Sequence, residues 1–151
     1  MSMANAARVA GKVLWPFVAR LLTEATAGAV KNPKTWENAR GLMDGLNKAL
    51  ASRSPEGKVQ RSAATVREYA RSALDKQASG TKVAGVERAE DWIRRADRIE
   101  SALGILAHEG RSARRAHLAR LEQQAGELVT ESLNALIGEP AGPTPPSERP
   151  E

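Results

Sequence analysis

The fold is decided by residues 82–138, which read KVAGVERAEDWIRRADRIESALGILAHEGRSARRAHLARLEQQAGELVTESLNALIG. Apolar residues recur every three or four positions on both sides of Gly110, and this spacing predicts an α-helix on each side. We expect the two helices to span about 82–108 and 112–138. Because only a short break separates them, they are predicted to form an antiparallel hairpin.

Both predicted helices have a recognisable start and an inward face. Thr81 and Ser112 each carry a hydroxyl that is suited to cap the start of a helix. The positions expected to face the core are Val86, Ala89, Ile93, Ala96, Ile99, Leu103 and Leu106 in the first helix and Leu118, Leu121, Ala125, Leu128, Val129, Leu133 and Leu136 in the second.

Further helical segments are predicted upstream. Pro33 and Pro55 each follow a capping residue, an order that typically starts a helix. The segment at 3–31 contains Pro16, which either kinks this helix or begins a second one. The apolar rows are Val9, Val13, Phe17, Leu21 and Ala25 in the first segment, Trp36, Ala39, Met43, Leu46 and Leu50 in the second, and Val59, Ala63, Val66, Ala70, Ala73 and Leu74 in the third.

The composition favours helices throughout. The chain contains 27 alanines but only five aromatic residues, whereas β-sheets favour aromatic and β-branched side chains. We therefore predict an all-α fold, a helical bundle of about four to five helices. Gly41 and Gly45 lie about one helical turn apart and predict a notch where a neighbouring helix approaches closely.

Three regions are predicted along the chain. Residues 1–31 are expected to form an N-terminal amphipathic helical segment, and residues 32–138 the core of the bundle. Residues 139–151 contain five prolines in thirteen positions, a composition typical of a disordered tail.

The balance of charge changes sign near residue 120. Residues 1–120 contain 22 Lys and Arg against 12 Asp and Glu, whereas residues 121–151 contain one Arg and six Glu. Such a separation creates a directional field, which bears on partners and self-association more than on the fold. The chain has no cysteine, so disulfides and thiolate chemistry are excluded.

The sequence contains no arrangement typical of an enzyme. It has no phosphate-binding loop, dinucleotide fingerprint or nucleophile elbow. His108 and His117 are nine residues apart, whereas zinc sites on a helix need histidines about four apart or cysteine partners. We therefore expect a non-catalytic protein with no metal, no cofactor and no small-molecule substrate.

Six basic residues of the third and last predicted helices, each without an acidic residue three or four positions away, are the candidate contacts for an anion or a nucleic acid. They are Lys58, Arg61, Arg67, Arg111, Arg114 and Arg115. Unpaired guanidinium groups suit phosphate recognition because each presents a planar fork of donors. A nucleic-acid-associated protein is therefore one alternative interpretation.

The N-terminal segment provides another alternative, a peripheral membrane anchor. Aromatic and aliphatic side chains are interspersed there with cations, a combination that favours the headgroup region of anionic lipid. The candidate anchor residues are Lys12, Val13, Leu14, Trp15, Phe17, Arg20 and Leu21. The competing interpretation is that this helix packs on the bundle and completes its core.

The main prediction is a non-catalytic interaction or adaptor protein that binds protein partners, including a second copy of itself, through helix faces. Trp36 and Trp92 are the candidate interface anchors, because tight interfaces favour large aromatic side chains; the competing interpretation of each is a core residue. We expect a cytoplasmic location, at the membrane periphery under the anchor alternative. Arginine outnumbers lysine sixteen to seven, which together with the alanine content is typical of a GC-rich bacterial genome.

The acids of the last predicted helix allow two pairings. Glu122, Glu127 and Glu131 are predicted to meet a basic surface on another copy or to pair with the arginines between 88 and 98 inside the hairpin. Exposed ion pairs of this kind contribute only about 0–1 kcal/mol each, so they would set register rather than drive assembly.

Overall fold

A computed structural model describes the backbone of residues 3–30 and 33–137 and the side chains of residues 15–28 and 36–137. Within these residues the chain is helical and contains no strand, which confirms the all-α prediction. Its α-helices are α1 (Met3–Val30), α2 (Pro33–Ala51), α3 (Pro55–Ala78), α4 (Ala89–Leu106) and α5 (Arg111–Ile137), and a short 3-10 helix (Val86–Arg88) precedes α4. The predicted disordered tail, 139–151, lies outside the described residues.

The proline signals mark the helix starts correctly. α2 begins at Pro33 and α3 begins at Pro55. At the start of α3 the Gly57 amide donates a hydrogen bond to the Ser54 hydroxyl at 2.9 Å, so Ser54 satisfies one of the free amides of the first turn. Pro16 does not divide the first segment, because α1 is continuous through it.

Two predicted helix starts are wrong. α4 begins at Ala89 rather than near residue 82, because Gly80 and Gly85 adopt positive φ angles of 92° and 81° that interrupt a helix. Thr81 therefore lies in a loop, where its amide donates to the Lys76 carbonyl. α5 begins at Arg111, so Ser112 lies inside its first turn instead of capping it.

The predicted core rows of α2, α3, α4 and α5 are confirmed, since every member is buried or half-buried. The row in α1 is confirmed only in part: Ala25 is buried and Leu21 half-buried, but Phe17 is 50% exposed, and Val18 and Leu22 are buried instead. The apolar run around Phe17 covers all sides of the helix, so spacing alone could not select the inward face. Val9 and Val13 lie outside the described side chains.

The helices contact one another through a shared core. α1 contacts α2 and α5, α3 contacts α2, α4 and α5, and α4 contacts α5. Individual contacts fix the pairings: Thr26 of α1 reaches Met43 of α2 at 3.5 Å, and Trp15 of α1 donates to Glu122 of α5 at 3.1 Å. Tyr69 of α3 donates to the Ala84 carbonyl at 2.7 Å and ties the loop before α4 to α3.

The notch predicted at Gly41 and Gly45 exists at one of the two glycines. A Cβ added at Gly45 would lie 2.5 Å from Cγ2 and 3.1 Å from Cβ of Thr65 on α3, whereas Gly41 faces open space.

We expect Gly45→Ala to lower the free energy of unfolding by about 1–3 kcal/mol, because the added methyl overpacks the contact. Gly41→Ala is the matched control and should raise it by up to about 1 kcal/mol through helix propensity. Chemical denaturation measures both, and equal effects of the two variants would contradict the close contact.

Candidate functional site

One end of the molecule collects basic residues from three helices, and we call residues 48–61 and 106–120 together the basic end. The Arg114 guanidinium donates to the Glu56 carboxylate at 2.8 Å, which places the start of α5 beside the start of α3. The Lys58 ammonium donates to the Ser52 carbonyl, which ties the start of α3 to the segment that follows α2. Residues far apart in the sequence therefore form one surface.

The basic end carries most of the excess positive charge. Its eight Lys and Arg residues are Lys48, Arg53, Lys58, Arg61, Arg111, Arg114, Arg115 and Arg120. Its two acids are already engaged, Glu56 by Arg114 and Glu109 by His117, whose Nδ1 lies 2.6 Å from Oε1. The rest of residues 1–137 holds 14 Lys and Arg against 13 acids, so the charge outside the basic end nearly cancels.

Three of the six predicted anion contacts remain available. Arg61, Arg111 and Arg115 are exposed, and among the described residues none of them forms an ion pair. Residues 111–116 are exposed on every side of the helix. Arg111 and Arg115 lie one turn apart, and such like-charge pairs destabilise a helix by a few tenths of a kcal/mol.

The prediction that Arg67 and Arg114 are unpaired is wrong. Arg67 of α3 forms ion pairs with Asp97, at 3.0 Å, and with Glu100 on α4. The hydrogen bond to Glu100 raises the pKa of Arg67, and this arginine acts as a clamp between two helices. Arg114 pairs with Glu56 on α3. Spacing along the chain could not reveal these partners because they lie on other helices.

Trp92 is a core residue and is wrong as an interface anchor. Its side chain is 0% exposed, and its indole N–H donates to Glu131 of α5 at 3.4 Å. In this fold its side chain is not accessible to a partner. Trp36 is half-buried on α2 and packs against the core, so part of its ring remains accessible.

The acids of α5 are largely used inside the molecule. Glu131 accepts hydrogen bonds from Arg95 at 2.8 Å and from Trp92, and it forms an ion pair with Arg88 at 2.9 Å. Of the two predicted pairings, the internal one is therefore present for Glu131. Glu122 accepts from Trp15, and Glu127 is exposed and accepts from Gln123.

The position of Glu131 predicts a pH dependence of stability. Burial raises the pKa of this carboxyl, but the hydrogen bond and charge of Arg95, with the charge of Arg88, outweigh burial and lower the pKa overall. Its ionised form therefore stabilises the fold above the ordinary glutamate range, and this stabilisation is lost as pH falls through the lowered pKa.

We expect Glu131→Gln to lower the free energy of unfolding by about 1–2 kcal/mol at pH 7, a value reduced because the group is partly exposed. The difference between the variant and the parent should shrink as the pH falls toward about 3, measured by urea denaturation at each pH. Glu127→Gln, on the exposed side of α5, is the control. A difference that stays constant with pH would contradict the proposed role of the carboxylate charge.

The candidate membrane anchor is divided between the core and the surface. Trp15 and Leu21 are half-buried against the core, whereas Phe17 and Arg20 are exposed. The side chains of Lys12, Val13 and Leu14 lie outside the described residues. Among the described helices, none has a stretch both long and apolar enough to cross a membrane.

Neither histidine belongs to a metal-binding group among the described residues. His117 contacts Glu109, and His108 is exposed in the turn between α4 and α5. In the part of the chain that the structure describes, no group of three His, Cys, Asp or Glu side chains is placed to hold a metal ion.

Comparisons with known proteins identify no relative of this chain. No protein-family model, no curated protein and no solved structure matches this chain.

Proposed function

We propose that this chain is a non-catalytic binding protein that recognises an anionic partner through its basic end. The observation that carries the proposal is the concentration of eight Lys and Arg residues, with both nearby acids already engaged, on segments that contact one another. This agrees with the interaction protein predicted from the sequence and assigns the chemistry of its partner.

Electrostatics supports this assignment. A patch of one charge sign attracts an oppositely charged partner and raises its association rate, while the nearly neutral remainder of the molecule contributes little. Arg111 and Arg115 repel each other across one helical turn in the free protein. An anion bound between them would remove that repulsion. The free energy that the repulsion costs in the free protein is then regained on binding, which favours the bound state.

The inferred arrangement of α4 and α5 places part of the basic end at the tip of a hairpin. We infer that α4 and α5 form an antiparallel hairpin, because Trp92 and Arg95 near the start of α4 contact Glu131 near the end of α5. The connection around Gly110 and the first turns of α5 then lie at the tip of this hairpin. A helix tip with exposed arginines is accessible to a large partner.

Affinity for a general polyanion tests the proposal. On heparin-agarose, we expect Arg111→Ala combined with Arg115→Ala to elute at clearly lower salt than the parent protein, because two unpaired charges of the patch are lost. The matched control combines Arg40→Ala with Arg98→Ala, two exposed arginines outside the basic end. The proposal is wrong if the parent does not bind, or if both double variants elute alike.

Self-association is a second candidate function, supported by exposed apolar side chains. Phe17 on α1 is 50% exposed and Ile105 near the end of α4 is 59% exposed. A second copy of the chain is an occupant that would cover them. Sedimentation equilibrium at several concentrations tests this: a mass that rises above the monomer value of 16.2 kDa supports it, and a monomer throughout excludes it.

A further inference from the structure

The first turns of α5 form an exposed, arginine-rich segment. Residues 111–116 read RSARRA, and all six are exposed, although Arg114 contacts Glu56 of α3. The other residues of this segment are Ser112, Ala113 and Ala116, whose small side chains leave the backbone accessible. A flat or curved polyanion can therefore approach the helix closely while the arginines reach around it.

The chemistry of the basic end favours phosphate. Six of its eight basic residues are arginine, whose planar fork donates two parallel hydrogen bonds to a phosphate. The backbone amides at the start of a helix have no carbonyl partner within it and face an anion with the positive end of the helix dipole. Here Arg114 is the first residue of α5 whose amide is seen to donate back, to the Gly110 carbonyl at 2.8 Å.

The composition of the basic end also favours a double-stranded over a single-stranded nucleic acid as the partner. Proteins that bind single-stranded nucleic acid stack its bases on aromatic side chains. Residues 48–61 and 106–120 contain no Phe, Trp or Tyr. The backbone of a duplex requires only cations and amides, which this surface has.

We infer that the anionic partner is double-stranded DNA, bound through its phosphate backbone with the start of α5 directed into the major groove. The major groove of B-form DNA is about 12 Å wide and admits a helix, whereas that of duplex RNA is too narrow for side chains to read. Arg111 and Arg115 supply phosphate contacts from α5, and Arg61 adds an exposed cation from α3. The inference rests on the proposed function.

The test is fluorescence anisotropy with a labelled 20-base-pair DNA duplex of mixed sequence, titrated at salt concentrations from 50 to 300 mM. For the parent protein we expect a steep loss of affinity with salt, because bound phosphates release counterions. Arg111→Ala with Arg115→Ala should reduce the log–log salt slope by about 2 and weaken binding by about 10- to 100-fold near 0.1 M salt. Arg40→Ala with Arg98→Ala should behave as the parent.

Three further probes distinguish failure of this inference from failure of the proposed function. They are the single strand of the same sequence, a 20-base-pair RNA duplex and polyglutamate. Tighter binding of any of these than of duplex DNA overturns the assignment to DNA and leaves an anionic partner in place. If no polyanion binds at 50 mM salt, or if both double variants weaken binding equally, the proposed function and the inference are both overturned.

Discussion

Replacing Trp92 with alanine is expected to lower the free energy of unfolding by about 3–5 kcal/mol. The indole is 0% exposed and its N–H donates to Glu131, so the change leaves a cavity between α4 and α5 and removes a donor from a partly buried carboxylate. Urea denaturation followed by circular dichroism measures the loss.

The control for this prediction is Trp36→Ala. Trp36 is half-buried, so its removal should cost about 1–2 kcal/mol, in proportion to the smaller area taken from water. Equal losses for the two tryptophans would contradict the placement of Trp92 at the centre of the core.

Gly85→Ala is the second large effect, with an expected loss of about 2–4 kcal/mol. Two causes add: Gly85 has a φ of 81°, which disfavours any residue with a Cβ, and the new Cβ would lie 2.6 Å from Cη2 of Trp92. Gly80→Ala isolates the first cause, because Gly80 has a φ of 92° but faces open space. It should cost about 1–2 kcal/mol.

The two large effects share one contact and therefore should not add. In a protein that already carries Trp92→Ala, Gly85→Ala loses the clash with the indole, although the Cβ of Ala135 remains at 3.2 Å. We expect the combined loss to be smaller than the sum of the single losses by about 1–2 kcal/mol, measured as a double-mutant cycle. Additive losses would indicate that the loop before α4 does not pack on Trp92.

Local pattern was sufficient to predict the helices and most of the core. The rows Ala39, Met43 and Leu46 on α2 and Val59, Ala63 and Val66 on α3 are buried where their spacing placed them, because helical periodicity is a property of neighbouring residues. It failed at the start of α4, where Val83 and Val86 are buried without belonging to an α-helix. There the backbone conformation of two glycines outweighs the apolar spacing.

The candidate surface was only partly predictable, because it depends on contacts between distant segments. Arg111 and Arg115 were recognisable from the absence of acids nearby. The partners of Arg67 and Arg114 were not, since Glu100 and Glu56 lie 33 and 58 residues away along the chain. The sequence also could not show that the starts of α3 and α5 form one basic end, because only the fold brings them together and no short motif marks it.

The basic end is the proposed binding surface of this protein. Its most direct test is a two-dimensional amide NMR spectrum of the ¹⁵N-labelled full chain, titrated with a short heparin oligosaccharide at low salt. We expect the shift changes to concentrate in residues 48–61 and 106–120, above all at Arg111 and Arg115. Changes spread evenly over the charged residues, or centred on Phe17 and the rest of α1, would contradict it.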